Sequence, residues 1–258
     1  MKTTLCLGSC ALITIFLLAA PAAADLSGYG IQITATNSDG TTGTFSVPTS
    51  SSIDEGYGSF DAGQPIMSAD SQIVGYINSL DVSYDDSDPL VNLSFSVTAG
   101  SSTTTFALNS AIVSFLPLRN PNGFALVSGT LTDQGSGNIT ITGLFPGGNI
   151  YEADYNPLAS SVDWADLVPT TTVSITGGFS GRQPATGSEV ISATLSSIQS
   201  HFDFTLTAND SASASSQFNI SGGTPVPEPS TIVLLGIGLA GLVLAKVRSL
   251  RNSKAASV

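Results

Sequence analysis

Cysteine is all but missing from this chain of 258 residues, which holds only Cys6 and Cys10. Both fall in the apolar run near the N-terminus, so the body of the protein carries no thiol. That excludes disulfide staples, cysteine catalysis and cysteine-ligated zinc there, and leaves packing to hold the fold. Positive charge is almost as scarce: between the apolar ends only Arg119 and Arg182 stand against 19 acidic residues, all of which lie between Asp25 and Glu228. A field of one sign this strong repels phosphate backbones and excludes nucleic acid as a partner. Histidine occurs once, at His201, tryptophan once, at Trp164, and no Gly-x-Ser-x-Gly elbow is present, so the usual parts of a nucleophilic hydrolase are lacking.

The long apolar runs are confined to the ends and need separate treatment from the fold. Lys2 precedes an apolar stretch from Leu5 to Ala20, and Ala22, Ala23 and Ala24 follow before Asp25. Positive start, apolar centre and A-x-A site are the parts of a secretory signal peptide, predicted to span residues 1–24 with cleavage between Ala24 and Asp25. Such a segment engages the secretion translocon. Leu7-Gly8-Ser9-Cys10 has the look of a lipoprotein box, but too little apolar sequence precedes it to serve as one.

At the other end, Ser221-Gly222-Gly223 reads as a flexible joint before Thr224-Pro225-Val226-Pro227-Glu228-Pro229-Ser230-Thr231. An apolar run from Ile232 to Ala245 follows, and Lys246, Arg248, Arg251 and Lys254 close the chain. With its polar flanks and a snorkelling Lys246, the run predicts a transmembrane helix over residues 230–247 in inner-membrane lipid. Charge asymmetry keeps the basic tail, residues 246–258, cytoplasmic and sends the acidic body across the membrane. The prolines of 225–229 lack backbone donors and favour an extended segment that holds Glu228 in water.

Val226-Pro227-Glu228-Pro229-Ser230-Thr231, then Leu234-Leu235-Gly236 and a glycine-rich helix with a basic end, resembles the sorting domain of PEP-CTERM proteins. The resemblance covers about residues 224–251, within a sorting signal placed at residues 222–258, and implies recognition of Val226, Pro227, Glu228 and Pro229 by exosortase, a membrane processing enzyme of Gram-negative bacteria that make exopolysaccharide. It implies export through the inner membrane, transient anchoring by the helix, and a final place at the cell surface or outside it.

Between residues 25 and 221 the dominant pattern has a period of two. Val91, Leu93, Phe95 and Val97 alternate with Asn92, Ser94, Ser96 and Thr98, which puts one face on a core and the other in water. Ile31/Ile33, Ile139/Ile141, Val173/Ile175, Ile191/Ala193/Leu195 and Phe202/Phe204/Leu206 repeat it. Short Thr-rich strands of this kind predict an all-β domain, an antiparallel β-sandwich of jelly-roll type, with barrel closure as the alternative. Asp133-Gln134-Gly135-Ser136-Gly137 predicts a hairpin joining Phe124–Thr132 to Asn138–Leu144. Residues 49–71 and 151–168 lack alternation and read as irregular, the second with a helical turn capped by Ser161.

Three sites invite chemistry. His201 heads an alternating strand and is expected as an ordinary exposed histidine beside Asp203. Asp81, Asp85, Asp86 and Asp88 crowd before Pro89; Asp85, Asp86 and Asp88 are a weak calcium candidate whose spacing does not match an EF-hand, and a solvated turn is the plainer reading. Glu152, Asp154, Asp163 and Asp166 can supply the two carboxylates of a glycosidase, and Trp164 with Tyr151 and Tyr155 a sugar-stacking surface, although core aromatics are the ordinary reading. No catalytic residue and no cofactor is assigned. The expectation is an exported, non-enzymatic surface or matrix protein associated with exopolysaccharide; the alternative is a lectin-like or glycan-active module on the same tail.

Overall fold

A computed structural model describes residues 26–48, 59–85, 88–135, 137–157, 161–226, 236–243 and 245–246. The expected signal peptide, with Ala22, Ala24 and Asp25, lies outside them, as do Asp86, Pro227, Glu228, Pro229, Arg248, Arg251 and Lys254.

Five strands open the chain: β1 (Leu26–Asn37), β2 (Thr42–Pro48), β3 (Ser59–Met67), β4 (Ile73–Asp85) and β5 (Leu90–Ala99). The middle holds β6 (Thr104–Arg119), β7 (Asn122–Thr132), β8 (Ile139–Gly143), β9 (Asn149–Tyr155), β10 (Val162–Pro169) and β11 (Thr171–Val173). Then come β12 (Thr176–Gln183), β13 (Glu189–Val190), β14 (Thr194–Leu206), β15 (Ser211–Ser221) and β16 (Thr224–Pro225). One sheet runs β10-β9-β14-β6-β1-β2, with β8 and β11 attached through β14 and β16 through β6; the other runs β12-β7-β15-β5-β4-β3, with β13 on β7. Every pairing is antiparallel. The inward faces of both sheets share one apolar core, so the molecule is a β-sandwich.

β5 shows why these residues make strands. Val91, Leu93, Phe95, Val97 and Ala99 are buried and the residues between them are not. On the outer face, short hydroxyl side chains tie neighbouring strands: Thr98 to Ser211 at 2.7 Å, Ser94 to Ser215 at 2.7 Å, and Asn78 donating to Thr98 at 2.8 Å. Cross-strand pairs of this kind each contribute about 0.2–1 kcal/mol.

Aromatic rings clamp the two sheets. Phe95 of β5 meets Phe202 of β14 edge-on at 4.8 Å and stacks with Phe204 at 6.1 Å; Phe204 meets Phe106, Phe202 meets Tyr151, and Trp164 stacks on Phe218 at 5.4 Å. A second tie is polar. Tyr84 of β4 crosses the core, donates its hydroxyl to Gly30 O and accepts the Ala111 N–H at 2.9 Å. The β1–β6 ladder shifts register between Ser27 and Ile31, so the phenol takes up backbone groups beside the irregularity.

Four expectations are corrected. β7 and β8 do not form a hairpin: β7 pairs with β12 and β15, while β8 pairs with β11 and β14 in the opposite sheet. The intervening loop crosses the sandwich edge and is pinned there, Gln134 donating to Asp210 and to Ser211 at 2.6 Å. Most of the described residues within 151–168 are strand rather than an irregular stretch with a helical turn, because β9 and β10 pair antiparallel across a bulge at Trp164 that breaks the period of two. β3 likewise occupies residues 59–67 of the stretch 49–71 expected to be irregular, of which residues 49–58 lie outside the described ones. Ile175 does not continue the Val173 face and is 72% exposed.

Phe202→Ala is expected to cost about 3–5 kcal/mol, and Tyr84→Phe about 1–3 kcal/mol through the two stranded backbone groups. Denaturant unfolding of the full chain in detergent reads both. A Tyr84→Phe variant as stable as the parent would discard the phenol tie.

Candidate functional site

The outer face of the β9–β10 hairpin gathers acid. In register, Asp163 sits opposite Asp154 and Asp166 opposite Glu152, and on the other side of β9, Glu152 sits opposite His201 of β14. The bulged residue Trp164 turns inward onto Phe218, so Asp163 and Asp166, three apart in sequence, share one face. Like charges directly across a ladder destabilise it. Here two such pairs are adjacent.

Asp154 is the most enclosed member, 6% exposed. Its Oδ2 accepts the Ser161 hydroxyl at 2.8 Å and lies 3.5 Å from His201 Nε2, while its Oδ1 has no hydrogen-bond partner among the described residues; Asp166 Oδ1 is in the same condition. His201 Nδ1 meets Asn109 Oδ1 at 2.7 Å. One carboxylate oxygen each from Glu152, Asp154 and Asp163 lie within 4.8 Å of one another.

Burial, and then the charges of Asp154, Asp163 and Asp166, push the Glu152 carboxyl up to about 7. Burial pushes Asp154 up as well, but hydrogen bonds from His201 and Ser161 and the imidazole's charge outweigh it and leave that carboxyl below its ordinary value. Burial followed by repulsion from Asp163 and Asp154 raises Asp166, and burial raises Asp203 against the pull of His201. Two neighbouring carboxyls with opposed shifts can serve acid–base chemistry; three convergent oxygens can hold a cation.

The other sequence-derived sites fare differently. His201 is on the polar face but is not an ordinary exposed histidine, since its side chain is only 17% exposed and both ring nitrogens are engaged. Tyr151 is fully buried and Trp164 packs on the core, so the aromatics form no sugar platform. Asp85 Oδ1 accepts the Asp88 N–H at 3.2 Å, closing the β4–β5 turn. Asn109 carries no signal in sequence; its role comes from the β6–β14 register.

The exit toward the C-terminus is built, not loose. Gly222 and Gly223 take φ of 66° and 83°, a left-handed pair that turns the chain from β15 in one sheet to β16 in the other, in place of the flexible joint expected there. Thr224 and Pro225 pair with Arg119 and Leu118, and the Val226 N–H donates to Pro117 O at 2.8 Å. Residues 236–243 and 245–246 are helical, and Ile237, Leu239, Leu242 and Val243 are 56–68% exposed, away from the core. No helix among the described residues is long and apolar enough to cross a membrane.

Fold and exit together define a β-sandwich that hands its last strand directly to a C-terminal tail. That tail is a PEP-CTERM protein-sorting motif: the family matches residues 225–249, and the chain therefore carries the signal of an exported protein processed at the membrane by exosortase. No curated protein matches the chain. Among solved structures, the VP2 subviral particle of infectious bursal disease virus aligns at 10% identity over 88% of this chain and 71% of that one, with a TM-score of 0.14. The Gx strain of the same virus aligns at 13% identity over 88% and 70%, with a TM-score of 0.15. Overlap this slight carries no argument about fold or role.

Glu152 generates a pH dependence. Its folded value, about 7, lies above its ordinary 4.5, so the stability its neutral form contributes is full below the unfolded value and is lost as pH rises through about 7. Thermal melts at about pH 5 and about pH 8 should show that loss in the parent and a smaller one in Glu152→Gln. Equal losses in the two proteins would clear Glu152 of the effect.

Proposed function

We propose that this chain is a non-enzymatic surface or matrix protein: exported by a signal peptide at residues 1–24, held in the inner membrane by a helix over 230–247, and released or transferred by exosortase acting at Pro227-Glu228-Pro229. The β domain then serves a structural or adhesive role in an exopolysaccharide-rich exterior. Frequent passage of the chain between the two sheets favours a jelly-roll description of that domain.

The observation that carries the reading is the sorting motif itself, at residues 225–249. Two features of the tail support it. The motif begins within β16, where Pro225 pairs with Leu118 and the Val226 N–H is bonded to Pro117 O at the edge of β6. Ile237, Leu239, Leu242 and Val243 of the helix, moreover, are exposed and stand outside the β core, which suits lipid as their solvent. Lys246, with Arg248, Arg251 and Lys254 beyond it, supplies the cytoplasmic charge that orients the span. The acidic outer surface keeps such a protein soluble and away from polyanions.

A glycan-active module on the same tail is favoured by one observation, the opposed shifts of Glu152 and Asp154. Hydrolysis of generic glycoside substrates that disappears in Glu152→Gln would establish it in place of the structural role.

Expressed in cells that contain an exosortase, the parent should yield a mature chain that begins at Asp25 and has lost the basic tail, read by mass spectrometry of both termini. Glu228→Ala should accumulate as a membrane-bound precursor with an intact C-terminus. Normal processing of that variant would show that the proline box is not what the enzyme reads.

A further inference from the structure

We propose that Glu152, Asp154 and Asp163 hold a calcium ion on the outer face of the β9–β10 hairpin. The site is separate from the sorting tail and does not depend on how that tail is processed.

The geometry supplies the donors. One oxygen from each of the three carboxylates lies within 4.8 Å of the others, inside the about 5 Å that separates oxygens on opposite sides of a calcium with bonds near 2.5 Å. The residues come from both strands of a hairpin in fixed register, Asp154 directly across from Asp163, so the backbone brings the oxygens together without any loop having to order.

Asp154 points to a ligand independently of the clustering. It is only 6% exposed, and its Oδ1 has no hydrogen-bond partner among the described residues. Leaving a buried acceptor unsatisfied is costly, and such groups in native proteins normally find a donor, a water or an ion. Its other oxygen is already fixed by Ser161 and faced by His201, so the carboxylate cannot rotate to relieve Oδ1 without giving up those contacts. Asp166 Oδ1, on the same face, lacks a partner among the described residues as well.

Charge argues the same way. Four carboxylates face one another in two like-charged cross-strand pairs, and Arg182 is engaged elsewhere, donating to Gly187 O and lying 4.6 Å over the Phe124 ring. Among the described residues the one basic side chain within ion-pair distance of the four is His201, 3.5 Å from Asp154.

The choice of metal follows from the donors. They are oxygens only, because both nitrogens of His201 are turned to Asn109 and Asp154, and this disfavours zinc and copper. Asp163 is exposed and Glu152 half-buried, which leaves the outer side of the ion open to waters. Three carboxylates completed by waters suit the larger, more tolerant coordination sphere of calcium and an affinity in the range of extracellular modules.

Calorimetric titration of the full chain in detergent with calcium chloride should give a dissociation constant of about 10⁻⁴–10⁻³ M. Terbium in place of calcium should luminesce on excitation of Trp164, the neighbour of Asp163 in sequence and the only tryptophan. Asp163→Asn, at an exposed position, and the isosteric Asp154→Asn should each weaken binding at least about tenfold while keeping the parent's circular dichroism. Asp85→Asn should bind as the parent does. Three results would each overturn the site: no binding by the parent at several millimolar calcium, parent-like binding by both Asp163→Asn and Asp154→Asn, or a loss confined to Asp85→Asn. The first would leave a buried water as the partner of Asp154 Oδ1.

Discussion

The contact of Phe95 with Phe202 and Phe204 is the constraint on which the rest of the molecule depends. With no disulfide available to the body of the chain, the two sheets are held by what their inward faces bury, and these rings sit where β5 of one sheet meets β14 of the other. Each aromatic pair adds about 0.5–1.5 kcal/mol beyond the area it buries. Phe106, Tyr151 and, at a distance, Trp164 with Phe218 extend the same apolar layer to β6, β9, β10 and β15.

That packing positions the surface chemistry. In a strand, successive side chains point to opposite faces, so driving Phe202 and Phe204 into the core turns His201 and Asp203 outward. Because β9 lies beside β14 in fixed register, the outward His201 arrives next to Glu152 and Asp154. The bulge at Trp164 performs the complementary step on β10: it sends the indole inward and brings Asp163 and Asp166 to the same outer face. The acid-rich patch is thus a by-product of how the aromatics are buried, and the mutual repulsion of its carboxylates is borne by the stability of the core beneath it. The opposite sheet shows the ordinary alternative, an outer face of serine and threonine whose hydroxyls satisfy each other across strands.

Much of this was legible in the chain. The alternation of Val91 to Val97 named the inward face of β5 correctly, as Ile31/Ile33 and Phe202/Phe204/Leu206 did for β1 and β14. The errors share one cause. The segment from Phe124 to Leu144 looks like a hairpin because two alternating runs flank a turn, but alternation says only which face is buried and not which strand lies alongside; here each run found its partner in a different sheet. Residues 151–168 looked irregular because one bulged residue shifts the period, and a shifted period cannot be told from none without the partner strand. Glu152, Asp154, Asp163 and Asp166 were visible as acids, yet their convergence, and the part of Asn109, were not.

What the sequence determined by itself is the address and the polarity of the strands: the order of proline box, apolar run and basic end is contiguous, is read by local physics, and needs no fold to be recognised. What only the tertiary structure decided is which strands neighbour one another, and with that the carboxylate cluster and the stitched exit at Gly222, Gly223 and β16. The division follows from distance along the chain. A signal at the end of the polypeptide depends on neighbours in sequence, whereas a site on a sheet is made of residues such as Asn109, Asp154, Asp163 and His201, whose meeting is set by cross-strand register and by a core that lies between them and the other sheet.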